Sequence, residues 1–271
     1  MREFSFDQIV ERSLMKTYKG PLYSKFIKAI DEYKLIENKD KIAVALSGGK
    51  DSLLMAKLFQ TFKKYGHLEF ELVFLTMDPG YAPELLERHL NNCKKLRIPS
   101  IVISSKVFEV AYEMAPNKPC FLCARMRRGF LYKQAEELGC NKLALGHHFD
   151  DVIETTLLNI FYAGCFKTML PKAKSANFPG LQLIRPMYLI KEKDCIRFSN
   201  YHQIEAINCG CKVAKMDTDS KRKEMKQLIE QMRKKYKNTD INIFRAAENV
   251  NINSILGYVD EDEKHSFMDE Y

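Results

Sequence analysis

The sequence predicts an α/β protein: a parallel sheet with helices on both faces, a helical N-terminal lead-in and a helical C-terminal region. Three observations lead there. Apolar runs short enough to be buried strands recur along the chain, helical-looking segments separate them in β-α-β-α-β order, and polar or glycine-bearing turns sit at the carboxyl ends of the runs, where such folds bind ligands.

Residues 1–38 read as the lead-in. Phe4, Ile9, Leu14, Phe26, Ile27, Ile30, Tyr33 and Leu35 recur at loosely helical intervals, and Gly20-Pro21 marks a break. Ile42-Ala43-Val44-Ala45-Leu46 is the first strand. The helix that follows carries Leu54, Leu58 and Tyr65 on one stripe beside Met55, Phe59 and Phe62, a pattern of core packing. Glu69 to Thr76 holds a second strand, Met77-Asp78-Pro79-Gly80 turns the chain, and a helix over Pro83 to Leu96 leads to a third strand, Ser100 to Ser104.

Residues 105–119 read as a connection ending in Pro116-Asn117-Lys118-Pro119, after which a helix runs from Cys120 to about Leu138. Lys142 to Leu145 makes a fourth strand. Gly146-His147-His148-Phe149-Asp150-Asp151 follows it, then an amphipathic helix over Val152 to Tyr162, a loop over 164–182, a short strand at Leu183 to Pro186 and a helix over Lys191 to Tyr201. Lys221 to Lys237 sets eight basic residues against Glu224 and Glu230, with Met225, Leu228, Ile229 and Met232 on a stripe. It reads first as a solvated helix packed on one side, and second as an RNA-facing helix. The expected organisation is a helical segment over 1–38, an α/β domain over 39–205, a helical region over 206–259 and an acidic tail over 260–271.

The 271 residues are 46% hydrophobic, ample for a sizeable core. No apolar run reaches the roughly 18 residues that span a bilayer, and the first residues alternate charge with apolar side chains, so we expect a cytoplasmic protein without a membrane partner. The net charge is +8, but residues 260–271 hold six acidic residues and one lysine, which leaves +13 on the rest. That excess suits a polyanion such as RNA and equally a basic soluble surface.

Ser47-Gly48-Gly49-Lys50-Asp51-Ser52, between a buried strand and a helix, is a place to hold an anion: glycines let backbone N–H groups curl round phosphate oxygens, and the helix points its positive end at them. Ser47 and Ser52 can hydrogen-bond phosphate, Lys50 can neutralise it, and Asp51 can position Mg²⁺. The spacing differs from the longer Walker loop. Asp78, Gly146, His147, Asp151 and Arg185 lie at other strand ends and join the candidate nucleotide pocket; Asp150 or Asp151 is a candidate Mg²⁺ partner or proton handler, and Asp151 can also cap the next helix.

The eight cysteines are Cys93, Cys120, Cys123, Cys140, Cys165, Cys195, Cys209 and Cys211. Cys120-Phe121-Leu122-Cys123 opens a helix whose N-terminus and nearby Arg125, Arg127 and Arg128 favour thiolates. Two thiolates make half of a four-coordinate site, and Cys209 or Cys211 can supply a third ligand. The other four have no partner spacing and read as buried hydrophobes.

Taken together, these motifs, with Leu158-Asn159-Ile160-Phe161-Tyr162-Ala163-Gly164, resemble the PP-loop ATP pyrophosphatases and, within them, the tRNA 2-thiocytidine synthetase family over about residues 20–250. The absence of cysteine before Cys93 sets the chain apart from related 2-thiouridine enzymes that carry an N-terminal zinc finger. The resemblance implies ATP, Mg²⁺ and a [4Fe-4S] cluster as cofactors, a tRNA substrate activated at cytidine 32, a sulfur donor (hydrosulfide or a cysteine desulfurase) and a tendency to form homodimers. It implies catalytic roles for Asp51, Asp150, Cys120, Cys123 and Cys209. The family's distal Pro-Cys-x-x-Cys-Gly is Asn208-Cys209-Gly210-Cys211-Lys212 here, so Cys209 is the expected third cluster ligand and Cys211 the alternative. A related PP-loop sulfurtransferase or desulfurase acting on another (thio)nucleoside or a free thiobase, a cluster-free adenylating ligase, or a nucleotide- or RNA-binding module without catalysis is the rival expectation.

Overall fold

A computed structural model describes residues 3–116, 119–207, 220–260 and 263–270, apart from the side chains of Cys120, Ser220 and Glu270. Cys209 and Cys211 lie outside the described residues. The chain divides into two compact units, one comprising 1–152 and 170–220, the other 153–169 and 221–271.

The first unit holds a six-stranded sheet: β1 (Lys41–Leu46), β2 (Glu71–Asp78), β3 (Ser100–Ser104), β4 (Lys142–Ala144), β5 (Lys172–Lys174) and β6 (Gln182–Ile184), in the order β3-β2-β1-β4-β6-β5. Every pairing is parallel except β5 with β6. β1 is buried on both faces, as a central parallel strand must be. Ala43 and Ala45 face a cluster with Leu143 and Ala135, and Leu131 packs against it. By the two-residue repeat of a strand, Ile42, Val44 and Leu46 face the opposite side.

Helices α1 (Phe6–Met15) and α2 (Ser24–Glu32) form the lead-in, and the Gly20-Pro21 break is a π-helical turn, Lys19–Tyr23. α3 (Lys50–Tyr65) joins β1 to β2, and α4 (Pro83–Lys95) joins β2 to β3. The stretch read as a plain connection contains α5 (Val107–Met114), which buries Val107 and Ala111 and packs on α6 (Pro119–Glu137). α7 (Phe149–Leu158) starts three residues earlier than periodicity suggests, because His148 and Asp151 cap it, and it passes into a π-helical turn, Asn159–Ala163. The loop expected over 164–182 holds β5, and α8 (Glu192–Tyr201) closes the unit's helical set.

The second unit carries α9 (Ser220–Lys235), α10 (Thr239–Ala246) and a hairpin of β7 (Gly257–Asp260) with β8 (Glu263–Ser266). The hairpin's second strand lies in the acidic stretch expected to be a tail. No helix among the described residues is long and apolar enough to cross a membrane.

The chain leaves β1 towards β2 on one side, and β4 later returns on the other. This reversal opens a crevice at the carboxyl ends of β1 and β4, the place where open parallel sheets bind ligands. At the opposite end of the same strands a buried ion pair fastens them: Lys142 Nζ lies 2.7 Å from Asp40 Oδ2, with side chains 3% and 5% exposed. Lys142 also donates to the Leu35 carbonyl, and Asp40 accepts from the Glu37 amide and the Asn141 side chain. Removing one member leaves the other charge buried, so Asp40→Ala should cost about 3–5 kcal/mol in urea unfolding. A loss below about 1 kcal/mol would mean that the pair behaves as a solvated one.

Candidate active site

The turn after β1 is held by its own side chains. Ser52 Oγ donates to the Gly49 carbonyl at 2.9 Å and accepts from the Ser47 amide at 3.2 Å, while Ser47 Oγ accepts from the Gly49 amide at 3.4 Å. The two serines expected to bind phosphate are thus engaged in shaping the loop. Gly48 has φ +79°, a conformation that costs side-chain-bearing residues energy, and a Cβ there would stand 2.5 Å from Ile207 Cγ1 and 3.2 Å from His89 Nδ1. The Ile207 amide donates to the Gly48 carbonyl at 3.0 Å, so the chain is tied to this turn two residues before Cys209.

Lys50 and Asp51 open α3, with Lys50 Nζ 2.9 Å from Asp51 Oδ2 and 3.5 Å from Glu192 Oε1. Burial works against the ammonium, but the two carboxylates outweigh it and raise its pKa. Asp51 Oδ1 is buried and has no hydrogen-bond partner among the described residues. Cys195 lies close to the same carboxylate; burial first, then the Asp51 charge, push its thiol well above the usual range, so it is a protonated core residue. Asp150 is also buried, and its Oδ2 accepts the Glu192 amide at 2.7 Å, capping α8 and setting the residue that reaches Lys50.

The loop after β4 forms the other wall. Gly146 lies against the first turn of α3, where a Cβ would stand 3.4 Å from Asp51 C and Ser52 N. Asp151 Oδ2 accepts the His148 amide at 2.9 Å, and His148 Nδ1 accepts the Asp151 amide at 3.3 Å, a reciprocal cap for α7. Asp78 closes the turn after β2 by accepting from the Gly80 and Tyr81 amides, and Tyr81 Oη reaches the Ser47 carbonyl at 3.3 Å. Arg185 donates to the Leu170 carbonyl while its Nε is buried without a hydrogen-bond partner among the described residues. Burial lowers its pKa to about 10, against Tyr132 and with Arg128 adding to the shift.

These walls enclose a cleft of about 410 Å³ lined by Ser47, Gly49, Asp51, Gly146, His147 and Asp151 on one side and by Ala124, Arg127, Arg128 and Leu131 of α6 on the other. Cys120 and Cys123 belong to the first two turns of that same helix, and Cys123 is half-buried. A second hollow shares Ser47, Gly49, Asp51 and Arg127 with the first and is completed by Lys50, Tyr81, Ala206 and Ile207. Among the described residues no group of three or more His, Cys, Asp or Glu side chains is arranged to hold a metal ion. Sequence reasoning missed Tyr81, Glu192, His89 and Ile207. None belongs to a motif, and the partners of Glu192 and Ile207 lie more than 100 residues away.

A strand, a glycine turn and a helix at a sheet's reversal point, with lysine and aspartate in the helix's first turn, define a nucleotide-binding α/β protein of the PP-loop class. The family model described as a PP-loop domain matches residues 21–211. A tRNA-cytidine(32) 2-sulfurtransferase of Syntrophotalea carbinolica is 39% identical over 215 residues, 76% of this chain and 79% of the relative. The enzyme of the same description from Paraburkholderia phytofirmans is 36% identical over 227 residues, 82% of this chain and 66% of the relative. The U34-tRNA thiolase NcsA from Methanococcus maripaludis, solved with its [4Fe-4S] cluster, shares the fold with a TM-score of 0.67 at 23% identity, over 83% of this chain and 76% of that one. The chain belongs to the PP-loop family and, within it, to the tRNA-cytidine(32) 2-sulfurtransferase family.

Gly48→Ala should lower stability by about 1–3 kcal/mol and weaken ATP binding, read by thermal unfolding and calorimetry, because both backbone and space are lost. Unchanged ATP affinity would separate the turn from nucleotide binding. The buried His89 bonds Thr76 Oγ1 at 2.8 Å, and His202 bonds Ser13 Oγ at 2.9 Å; burial lowers both pKa values below the ordinary 6.5. The unfolded chain therefore takes up these protons first, and unfolding free energy should fall as the pH drops below 6.5. A combined His89→Gln, His202→Gln variant should show a flatter profile; an identical slope would remove these residues as its source.

Proposed function

We propose that this chain is an ATP-dependent tRNA sulfurtransferase that converts cytidine 32 of the anticodon loop to 2-thiocytidine. The observation that carries the reading is the shared cleft, in which the PP-loop and the helix that begins with Cys120 and Cys123 form opposite walls. Its relatives' stated activity supports the substrate. A tRNA substrate makes the cytoplasm its place of action.

The phosphates of ATP occupy the turn at Gly48 to Lys50, where the N-terminus of α3 and the Lys50 ammonium offset their charge. Lys50 then exchanges part of its contact with Asp51 and Glu192 for phosphate oxygen. Asp51 Oδ1, a buried oxygen with no hydrogen-bond partner among the described residues, fits a Mg²⁺ ligand. Arg127 and Arg185 add positive charge for the triphosphate or for RNA. O2 of the cytidine attacks the α-phosphorus, pyrophosphate leaves, and C2 becomes electrophilic. Hydrosulfide adds at C2, AMP departs with the former O2, and the sulfur's proton is released; sulfur from a cysteine desulfurase enters this step once a thiol reductant has brought its persulfide to the sulfide level.

The donor set fits an iron–sulfur cluster: two thiols three residues apart in a helix's first two turns, beside arginines that favour thiolates. Cys120, Cys123 and Cys209, with Cys211 as the alternative third ligand, would hold a [4Fe-4S] cluster, which when bound supplies an iron with an open position for the sulfur to be transferred. Asp150, which caps α8, acts on the reaction by setting Glu192 rather than by touching the nucleotide.

Anaerobic reconstitution with iron, sulfide, ATP and tRNA, followed by nucleoside mass analysis, should yield 2-thiocytidine with AMP and pyrophosphate. An intact cluster without 2-thiocytidine would overturn the substrate, and a colourless, iron-free protein that still forms AMP would favour an adenylating ligase. Cys123→Ala should abolish the cluster's absorption. Asp51→Ala should suppress AMP formation by 10²-fold or more on the order of a lost charge-stabilising group while leaving that absorption unchanged.

A further inference from the structure

The second unit contains an aromatic and basic surface that the chemistry above does not use. Its centre is the motif after α7. The π-helical turn Asn159–Ala163 ends at Gly164 in the left-handed conformation, and the chain folds back so that the Cys165 amide meets the Asn159 carbonyl and Asn159 Nδ2 meets the Lys167 carbonyl at 2.6 Å. Thr156 and Thr168 hydroxyls bond at 2.9 Å and close the base of this knuckle. The fold-back exposes its aromatic side chains: Phe161 is 59% and Phe166 49% exposed, and Tyr162 is 42% exposed.

A knuckle with apolar side chains turned to water is unusual unless something covers it. The neighbouring α9 indicates what. Tyr162 Oη donates to Glu224, and Lys221 Nζ stands 4.6 Å above the Tyr162 ring, which seats the knuckle against the first turn of α9. Arg222 pairs with Glu154 at 3.6 Å from the preceding helix. From there α9 carries basic residues along its length, and its apolar stripe is already used: Met225 and Ile229 are buried, while Lys221, Lys223, Lys234 and Lys235 are exposed. Exposed rings with the exposed Lys167 and Lys221 beside them match unstacked bases on a phosphate backbone, since each base offers a face to stack and each phosphate a charge to neutralise.

We infer that the knuckle at Phe161 to Lys167 and the start of α9 form a docking surface for a single-stranded RNA segment, with Phe161 stacking on a base and Lys221 meeting phosphate. The inference rests on the tRNA reading above and adds to it a place of contact outside the PP-loop unit. A protein partner would not need the accompanying lysines, and a second copy of this chain would bring its own lysines against them.

The test is tRNA affinity measured by fluorescence anisotropy across a salt series, with total tRNA and a labelled anticodon stem–loop as probes, on the full-length protein. Phe161→Ala should weaken binding about tenfold at fixed salt, as expected for one lost stacking contact, with the salt slope unchanged. Lys221→Gln should reduce the salt slope by about one and weaken both probes alike. ATP affinity and sedimentation mass should be unchanged in both, which separates a surface effect from misfolding. Wild-type affinity in both variants would overturn the surface while leaving the tRNA reading intact; a wild-type protein that binds no tRNA would overturn both. A fall in mass for Phe161→Ala would identify the knuckle as a contact between copies and overturn the RNA assignment, as would full affinity of Phe161→Ala and Phe166→Ala together.

Discussion

The site depends on one crowded backbone contact. Gly48 takes a left-handed conformation directly under Ile207 and beside the buried His89, and its carbonyl accepts the Ile207 amide. That arrangement fixes where β1 hands over to α3, and so where the helix's unpaired N–H groups point. It also anchors the chain that runs on to Cys209. On the other side the loop after β4 passes against the first turn of α3 at Gly146. The conformation of Gly48 and this contact border the crevice that the sheet's reversal creates.

Charge in the crevice is arranged as a relay of fixed partners. Asp150 caps α8, the capped Glu192 reaches Lys50, and Lys50 holds Asp51. Each member is at least partly buried, so each is restrained before any nucleotide arrives, and little ordering remains to be done on binding. The arrangement leaves one buried oxygen of Asp51 without a hydrogen-bond partner among the described residues, a cost of about 1–3 kcal/mol that a bound cation would remove. His148 and Asp151 play the same kind of part for α7: their side chains are spent on the helix start, which holds His147 and Asp151 at the cleft.

Much of the candidate site was legible because its residues are contiguous. Strand, glycine turn and charged helix start follow each other within twelve residues, and hydrophobic periodicity with turn chemistry is enough to read them. Cys120 and Cys123 are three apart on a helix, a spacing that declares itself. Glu192 does not: nothing near it in sequence says that it faces Lys50, 142 residues earlier. Ser47 and Ser52 were legible as loop residues, yet their engagement with the loop's own backbone depends on turn geometry that composition leaves open. α5 escaped notice because its eight residues are apolar on more than one face and lie between a strand and a proline.

The sequence by itself determined the class of fold, the β-α-β-α-β alternation of its first strands and helices, the anion-binding turn and the thiol pair, since each is written in local periodicity or in residues a few positions apart. Tertiary structure alone decided which strand ends become neighbours. The reversal between β1 and β4 brings the turns after Leu46 and Ala144 together, sets the helix of Cys120 and Cys123 across a cleft from the PP-loop, and couples Asp150 to Lys50 through α8. Those juxtapositions arise from pairing and packing between residues 42 or more positions apart, and such contacts are chosen by the burial of whole faces rather than by any short run of the chain.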